Sequence, residues 1–367
     1  MNAIPAKGYG AKSSLFSKLH RMDFERAAPA ADELLIDVLY CGVCHSDLHQ
    51  VKNDWGNTVY PCVPGHEIIG RVRQAGPSVT RFREGDIVGV GCMVDSCGSC
   101  EPCASGEENY CEGNNGFLAT YNGPMVPAAE AKDGSNHYGR DNTYGGYSDQ
   151  IVVKEHFVLR IPPELAVERA APILCAGVTT WSPLRHWNVG AGQEVAVVGL
   201  GGLGHMAVQL AKARGARVTV VTTSKDKEEA ARALGADDVL LSDDTKAMEA
   251  KELAFHFILV TIPDPFDINT YVSLLKRNGT LVTVGMLGNY KKGTDNNEVA
   301  FHRRSVAGSL IGGIAETQEV LDFCAQHGIQ PDVELIKIQD VNEAFEKMTK
   351  GEVRFRYVID MQSLKDE

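Results

Sequence analysis

Apolar and polar positions divide the chain into two textures. Up to about residue 160, short runs such as ELLIDVLYCG, HEIIGRVRQAG and GDIVGVGC are rich in β-branched residues. Gly or Pro bounds each of them, the pattern of short strands in an irregular, mostly β domain. From Pro162 the period changes. Strand-like EVAVVGL, RVTVVTT, FHFILVTI and TLVTVGM alternate with helix-like GHMAVQLAKARG, KDKEEAARALG and INTYVSLLKRNG. Strands alternating with helices imply βαβ crossovers and a doubly wound parallel sheet, an α/β fold. Near Ser305 the pattern shifts again, to a helix in GSLIGGIAETQEVLDFCAQHG, a second helix in VNEAFEKMTKG and a last strand in RFRYVID. Periodicity leaves open whether this tail extends the parallel sheet or returns to the first domain. Residues 112–146 are polar and Gly-rich, and long for a loop without elements of its own. They contain an insertion-like stretch, 127–140, to which no motif gives a role.

Composition narrows the class. A chain of 367 residues with 44% hydrophobic residues is long enough for two buried cores. Its 36 basic and 48 acidic residues give a net charge of −12, which argues against general binding to nucleic acid or anionic membranes. No apolar run approaches a membrane span. The start, MNAIPAKGYGAKSSLFSKLH, has no apolar secretion-signal core, so a cytoplasmic protein is expected. The ten cysteines are therefore not expected to form a disulfide framework.

Four of them, Cys97, Cys100, Cys103 and Cys111, lie within 15 residues. Four thiolates at this spacing match a closed structural Zn2+ site, a better fit than the iron–sulfur cluster that the spacing also allows. Gly199-x-Gly201-x-x-Gly204 follows an apolar strand and opens an amphipathic helix. These glycines permit a tight turn, close approach to a pyrophosphate and helix–strand packing, the dinucleotide-binding arrangement. The helix N-terminus offers free N–H groups to the phosphates. The following strand ends at Thr222, Thr223 and Ser224, followed by Lys225 and Lys227. An NAD site usually places an acid at this corner. Hydroxyls and ammonium groups suit a 2′-phosphate instead, so NADP(H) is the expected cofactor. A second set, Cys44, His66 and Cys175, has the Cys₂His donors of a catalytic zinc, but spacing alone does not group them among the other Cys and His residues.

CGVCHSDLHQ, PGHEIIGRV, the Cys97–Cys111 lobe, LCAGVTTWSPL and VVGLGGLGHMAVQLAK occur in one order. Together they resemble the zinc-dependent medium-chain alcohol dehydrogenases. Within these the chain is similar to the cinnamyl alcohol dehydrogenase-like branch, especially its bacterial broad-specificity NADPH-dependent aldehyde reductases. The resemblance covers about residues 30–360. It implies a GroES-like catalytic domain of residues 1–160 and 310–367 and a Rossmann domain of residues 161–309. It implies that Cys44, His66 and Cys175 ligate a catalytic zinc, with Glu67 as an alternate ligand and Asp47 orienting the histidine. Ser46 would touch the substrate oxygen and His49 would end a proton relay, a role suited to an imidazole. His45 would meet the pyrophosphate and Thr179 the nicotinamide. Gly202, Leu203, Val284, Gly285, Ser309 and Ile311 would complete the cofactor contacts. Trp55 and Trp181 are candidate walls of an aromatic substrate pocket.

The expected function is zinc-dependent reduction of aldehydes to primary alcohols with NADPH, of broad specificity, by a homodimer acting on small molecules. One alternative is an NAD-dependent alcohol or polyol dehydrogenase working in the oxidative direction; the Thr222–Ser224 corner argues against it. A non-catalytic NADPH sensor is the other. Retention of Cys44, Ser46, His49, His66 and Cys175 argues against that.

Overall fold

The computed structural model describes residues 3–15, 17–285 and 288–366. Contacts divide the chain into two units, Met1–Cys175 with Gly313–Glu367, and Ala176–Gly312.

The first unit is built on a seven-stranded sheet. Its order is Val333–Lys337, Arg356–Asp360, Glu33–Gly42, Ile68–Ala75, Ile87–Val90 and Leu159–Arg160, with Gln150–Lys154 also paired to Glu33–Gly42. Only the first pair is parallel. The tail therefore returns to the first unit, and the expected strands of its N-terminal part form there. The borders expected at 160 and 310 differ from those of the contact units. Residues 161–175 pack in the first unit because Ala170, Ala171, Ile173 and Leu174 are fully or almost fully buried there.

The second unit holds six parallel strands: β1 (Glu194–Val198), β2 (Arg217–Thr222), β3 (Asp238–Leu241), β4 (Phe255–Val260), β5 (Leu275–Thr283) and β6 (Ser305–Gly308). Their order is β3-β2-β1-β4-β5-β6. This is the doubly wound order whose direction switches between β1 and β4, where such sheets bind ligands at the strand C-termini. Helices cover both faces of such a sheet, so its strands are apolar on both sides. Val195–Val198, Val220–Val221 and Phe257–Val260 are all at most 2% exposed. INTYVSLLKRNG departs from its helical expectation. Only Asn269–Val272 is helical, and β5 starts at Leu275. Asn278, at a left-handed φ of 66°, donates its N–H to the His302 carbonyl and draws this run into the sheet.

Among the described residues no helix is long and apolar enough to cross a membrane.

Candidate active site

The helix His45–Lys52 begins at Cys44 and is closed by Asp47, whose carboxylate accepts the Cys44 N–H at 2.9 Å. A carboxylate in the first helical turn satisfies an unpaired N–H and suits the positive end of the dipole. Asp47 is fully buried. It also accepts the Gly65 N–H at 3.0 Å, and its Oδ1 lies 3.1 Å from His66 Nδ1. With Nδ1 on the carboxylate, His66 Nε2 is free for a metal, the usual arrangement of a ligand histidine. Nε2 lies 3.3 Å from Cys175 Sγ.

The donor atoms of Cys44, His66, Glu67 and Cys175 all lie within 4.8 Å of one another, and all four residues are buried. Three elements deliver them: the start of the helix, the turn before strand Ile68–Ala75, and the end of the short helical segment Ala171–Leu174. The Cys44 thiol is held well below its ordinary pKa by hydrogen bonding with Cys175, against burial, with further help from His66 and the charge of Arg356. That favours the thiolate a metal needs. Burial pushes the Glu67 carboxyl up, against the pull of the Arg356 guanidinium to which it is paired. Glu67 Oε2 has no hydrogen-bond partner among the described residues. Such a buried, unsatisfied oxygen beside two thiols and an imidazole fits a cation. A Cβ at Gly42 would collide with that same oxygen.

Ser46 and His49 lie half-buried on the same helix, and His45 is exposed. After Asn53, at φ 61°, the chain doubles back so that the Asp54 N–H bonds to the His49 carbonyl. This sets Asp54 Oδ2 2.8 Å from His49 Nδ1. The Trp55 ring lies 5.8 Å from the His49 ring. Tyr121, 7% exposed, has its ring 5.5 Å from that of His66. Asp54, Tyr121 and Arg356 belong to no motif, and sequence reasoning missed them. Trp181 is 2% exposed inside the second unit, with the Arg214 guanidinium 5.0 Å from its ring. That is a packing position rather than an open wall.

Cys97, Cys100, Cys103 and Cys111 also bring their sulfurs within 4.8 Å of one another. Partial burial works against Cys97, yet hydrogen bonds from the Ser99 and Cys100 backbone pull it down to about 6. Backbone donors to sulfur are what a thiolate metal lobe supplies.

In the second unit the glycine turn joins β1 to helix Gly204–Ala213. Gly199 has φ 94°. A Cβ at Gly204 would collide with the Gly199 carbonyl oxygen, whereas at Gly201 it would meet nothing within 4 Å. Gly204 therefore serves helix–strand packing, and Gly201 leaves open space at the helix end, which fits a pyrophosphate. Gly202 and Leu203 complete the turn. Thr222 ends β2, Thr223 and Lys225 are exposed beyond it, and Ser224 and Lys227 are half-buried. Val284 and Gly285 follow β5, where the Val284 N–H bonds to the Val260 carbonyl. Ser309 and Ile311 follow β6, with Ile311 at φ 42°. Thr179 is buried in helix Ala176–His186. Thr261, at the end of β4, was also missed; its hydroxyl donates to the Val198 carbonyl at 2.9 Å beside the glycine turn.

Residues 30–163 match the alcohol dehydrogenase GroES-like domain, and residues 202–326 match the zinc-binding dehydrogenase domain. Aldehyde reductase YahK of Escherichia coli is 50% identical over 98% of this chain and 99% of its own. The chain belongs to the zinc-dependent medium-chain alcohol dehydrogenases. Among solved structures, a cinnamyl alcohol dehydrogenase (SbCAD4) from Sorghum bicolor superposes with a TM-score of 0.90 at 40% identity, covering 98% of both chains. The cinnamyl alcohol dehydrogenase of Helicobacter pylori complexed with NADP(H) does so at 0.88 and 38%, covering 98% of this chain and 99% of that one. The family assignment accounts for two thiol-rich donor sets and a dinucleotide turn in one chain.

Proposed function

We propose that this enzyme reduces aldehydes to primary alcohols with NADPH, with broad specificity that includes aromatic and cinnamyl-type aldehydes. The observation that carries the reading is the buried quartet Cys44, His66, Glu67 and Cys175 at the foot of the helix bearing Ser46 and His49. Cys44, His66 and Cys175 would hold the zinc, which would supply Lewis acidity to a substrate carbonyl oxygen, and bound NADPH would be the source of hydride. Glu67, its second oxygen unsatisfied, is an alternate ligand held back by Arg356. Asp47 fixes the imidazole of His66. Ser46 donates the proton that the product oxygen takes up. His49, its Nδ1 on Asp54, keeps Nε2 for proton exchange with solvent. His45 binds pyrophosphate, and Thr179, Val284, Gly285, Ser309 and Ile311 border the cofactor. Thr222, Thr223, Ser224, Lys225 and Lys227 receive the 2′-phosphate, supplying the local positive character that a chain of net charge −12 needs for a polyanion.

Cys97, Cys100, Cys103 and Cys111 would hold a second zinc, which would fold a loop with no core of its own. Trp55 beside His49 gives an aromatic wall, and apolar walls with few polar anchors discriminate weakly among aldehydes. The roles follow the two units, catalytic for Met1–Cys175 with Gly313–Glu367 and NADP-binding for Ala176–Gly312. Strand β6 is the sheet's edge, and Phe301 just before it is 82% exposed. An unpaired edge favours pairing with a second copy, which supports our reading of the enzyme as a cytoplasmic homodimer. A screen of NADPH oxidation with aliphatic, aromatic and cinnamyl-type aldehydes tests the reading. Turnover of several classes is expected; turnover of one aldehyde alone would contradict broad specificity.

A further inference from the structure

The irregular stretch after the thiol lobe ends in Gly145-Gly146-Tyr147, and this tripeptide is interlocked with the turn that carries His66. The Gly145 N–H donates to the Val63 carbonyl at 2.8 Å, Gly146 to Gly65 at 2.8 Å and Tyr147 to Pro64 at 3.0 Å. The approach needs both glycines. A Cβ at Gly145 would collide with the carbonyls of Pro64 and Gly65, and one at Gly146 with Ile68 and the Cys41 sulfur. Gly65, at φ 102°, has no room for a Cβ against the Tyr147 ring. From the other side Arg26 donates to the Tyr144 carbonyl at 2.9 Å, to that of Gly145 at 3.1 Å and to Ser148 Oγ at 2.8 Å.

Tyr147 is fully buried, and its hydroxyl donates to Asp47 Oδ2 at 3.3 Å. Asp47 thus takes two donors on each oxygen, Gly65 N–H and His66 Nδ1 on Oδ1, Cys44 N–H and the Tyr147 hydroxyl on Oδ2. Without the phenol, Oδ2 keeps one donor and the carboxylate is freer to turn, carrying the His66 ring with it.

We propose that Tyr147 is a positioning residue for the metal site, acting on His66 through Asp47. The proposal rests on the reading of His66 as a zinc ligand. Partners of a ligand's own partner typically matter less than the partner itself, whose loss costs about 10–100-fold in metal affinity, so an effect of about three- to tenfold is expected here.

The test uses full-length, zinc-loaded enzyme carrying Tyr147→Phe, Asp47→Asn or both. Two quantities are read: the rate at which the catalytic-site zinc passes to a chelator, and the ligand-field spectrum after Co2+ replaces that zinc. Y147F keeps the ring and so the packing. It is expected to accelerate zinc loss three- to tenfold and shift the Co2+ bands with the melting temperature nearly unchanged, and the double variant is expected to match D47N. Wild-type rate and spectrum in Y147F, or effects of the two substitutions that multiply, would overturn the proposal. So would a fall in melting temperature with an unmoved spectrum, the mark of packing alone. If D47N does not hold metal, Y147F alone decides. An enzyme that shows these shifts yet reduces no aldehyde would contradict the proposed activity and leave the role of Tyr147 standing.

Discussion

Asp47 Oδ1 lies 3.1 Å from His66 Nδ1, 19 positions apart in sequence. The contact joins the first turn of one helix to the turn before a strand, and it leaves Nε2 free for the proposed metal. An aspartate there keeps the imidazole aimed and basic. Asp47→Asn is expected to weaken catalytic-zinc affinity by about 10–100-fold, measured by competition with a chromophoric chelator. The structural zinc should stay in place.

In the proposed assignment the corner after β2 sets cofactor choice. Thr223→Asp would place a carboxylate where that assignment puts the 2′-phosphate. The ratio of kcat/KM with NADPH to that with NADH is expected to fall by about tenfold or more, the cost of about 1.4 kcal/mol of charge repulsion. An unmoved ratio would contradict the assignment of Thr222–Lys227.

In the proposed reading the thiol lobe folds around its metal. Cys103→Ser is expected to lower the zinc content from two to one per chain and to expose residues 96–112 to limited proteolysis, because such a loop has no order without its ion. Metal analysis and mass spectrometry of the cleavage products check both.

Glu108 gives the pH dependence. Burial alone raises its pKa, but His156 Nε2, 2.6 Å from Oε1, and the Ile314 N–H, 3.0 Å from Oε2, outweigh it and hold the carboxyl below its ordinary value. A depressed folded-state pKa adds stability that is full above the unfolded carboxylate's pKa and is lost as pH falls through the folded value. Glu108→Gln should therefore lower the melting temperature most at pH 6–7. The gap from wild type should close below about pH 4, the usual range of a free glutamate. Melting curves from pH 3.5 to 7 test the sign. A gap that widens in acid would contradict it.

What the sequence makes legible is local. The dinucleotide turn and the four-thiol lobe are each confined to one short stretch, so spacing alone points to their chemistry. The catalytic quartet is not local. Cys44, His66 and Cys175 come from three separate elements, and only the resemblance of the ordered motifs groups them. Arg356 is 289 positions from Glu67, and such a pair leaves no spacing signature. Asp54 reaches His49 only because Asn53 adopts a left-handed turn. Tyr147 belongs to a stretch whose polar, Gly-rich pattern promises only a loop. Trp181 reads as a pocket wall from its neighbours in sequence, and the packing of Arg214 on its face is visible only in three dimensions.

The zinc proposed at Cys44, His66 and Cys175 is the proposed site of NADPH-dependent aldehyde reduction. The most direct measurement pairs zinc content with steady-state NADPH oxidation, on an aromatic aldehyde, for wild type and Cys44→Ser. Two zinc ions and turnover are expected in wild type, and one zinc ion with activity reduced by about a thousandfold or more in the variant, a loss of about 4 kcal/mol of transition-state stabilisation. A Cys44→Ser enzyme that holds one zinc and reduces the aldehyde at the wild-type rate would contradict it.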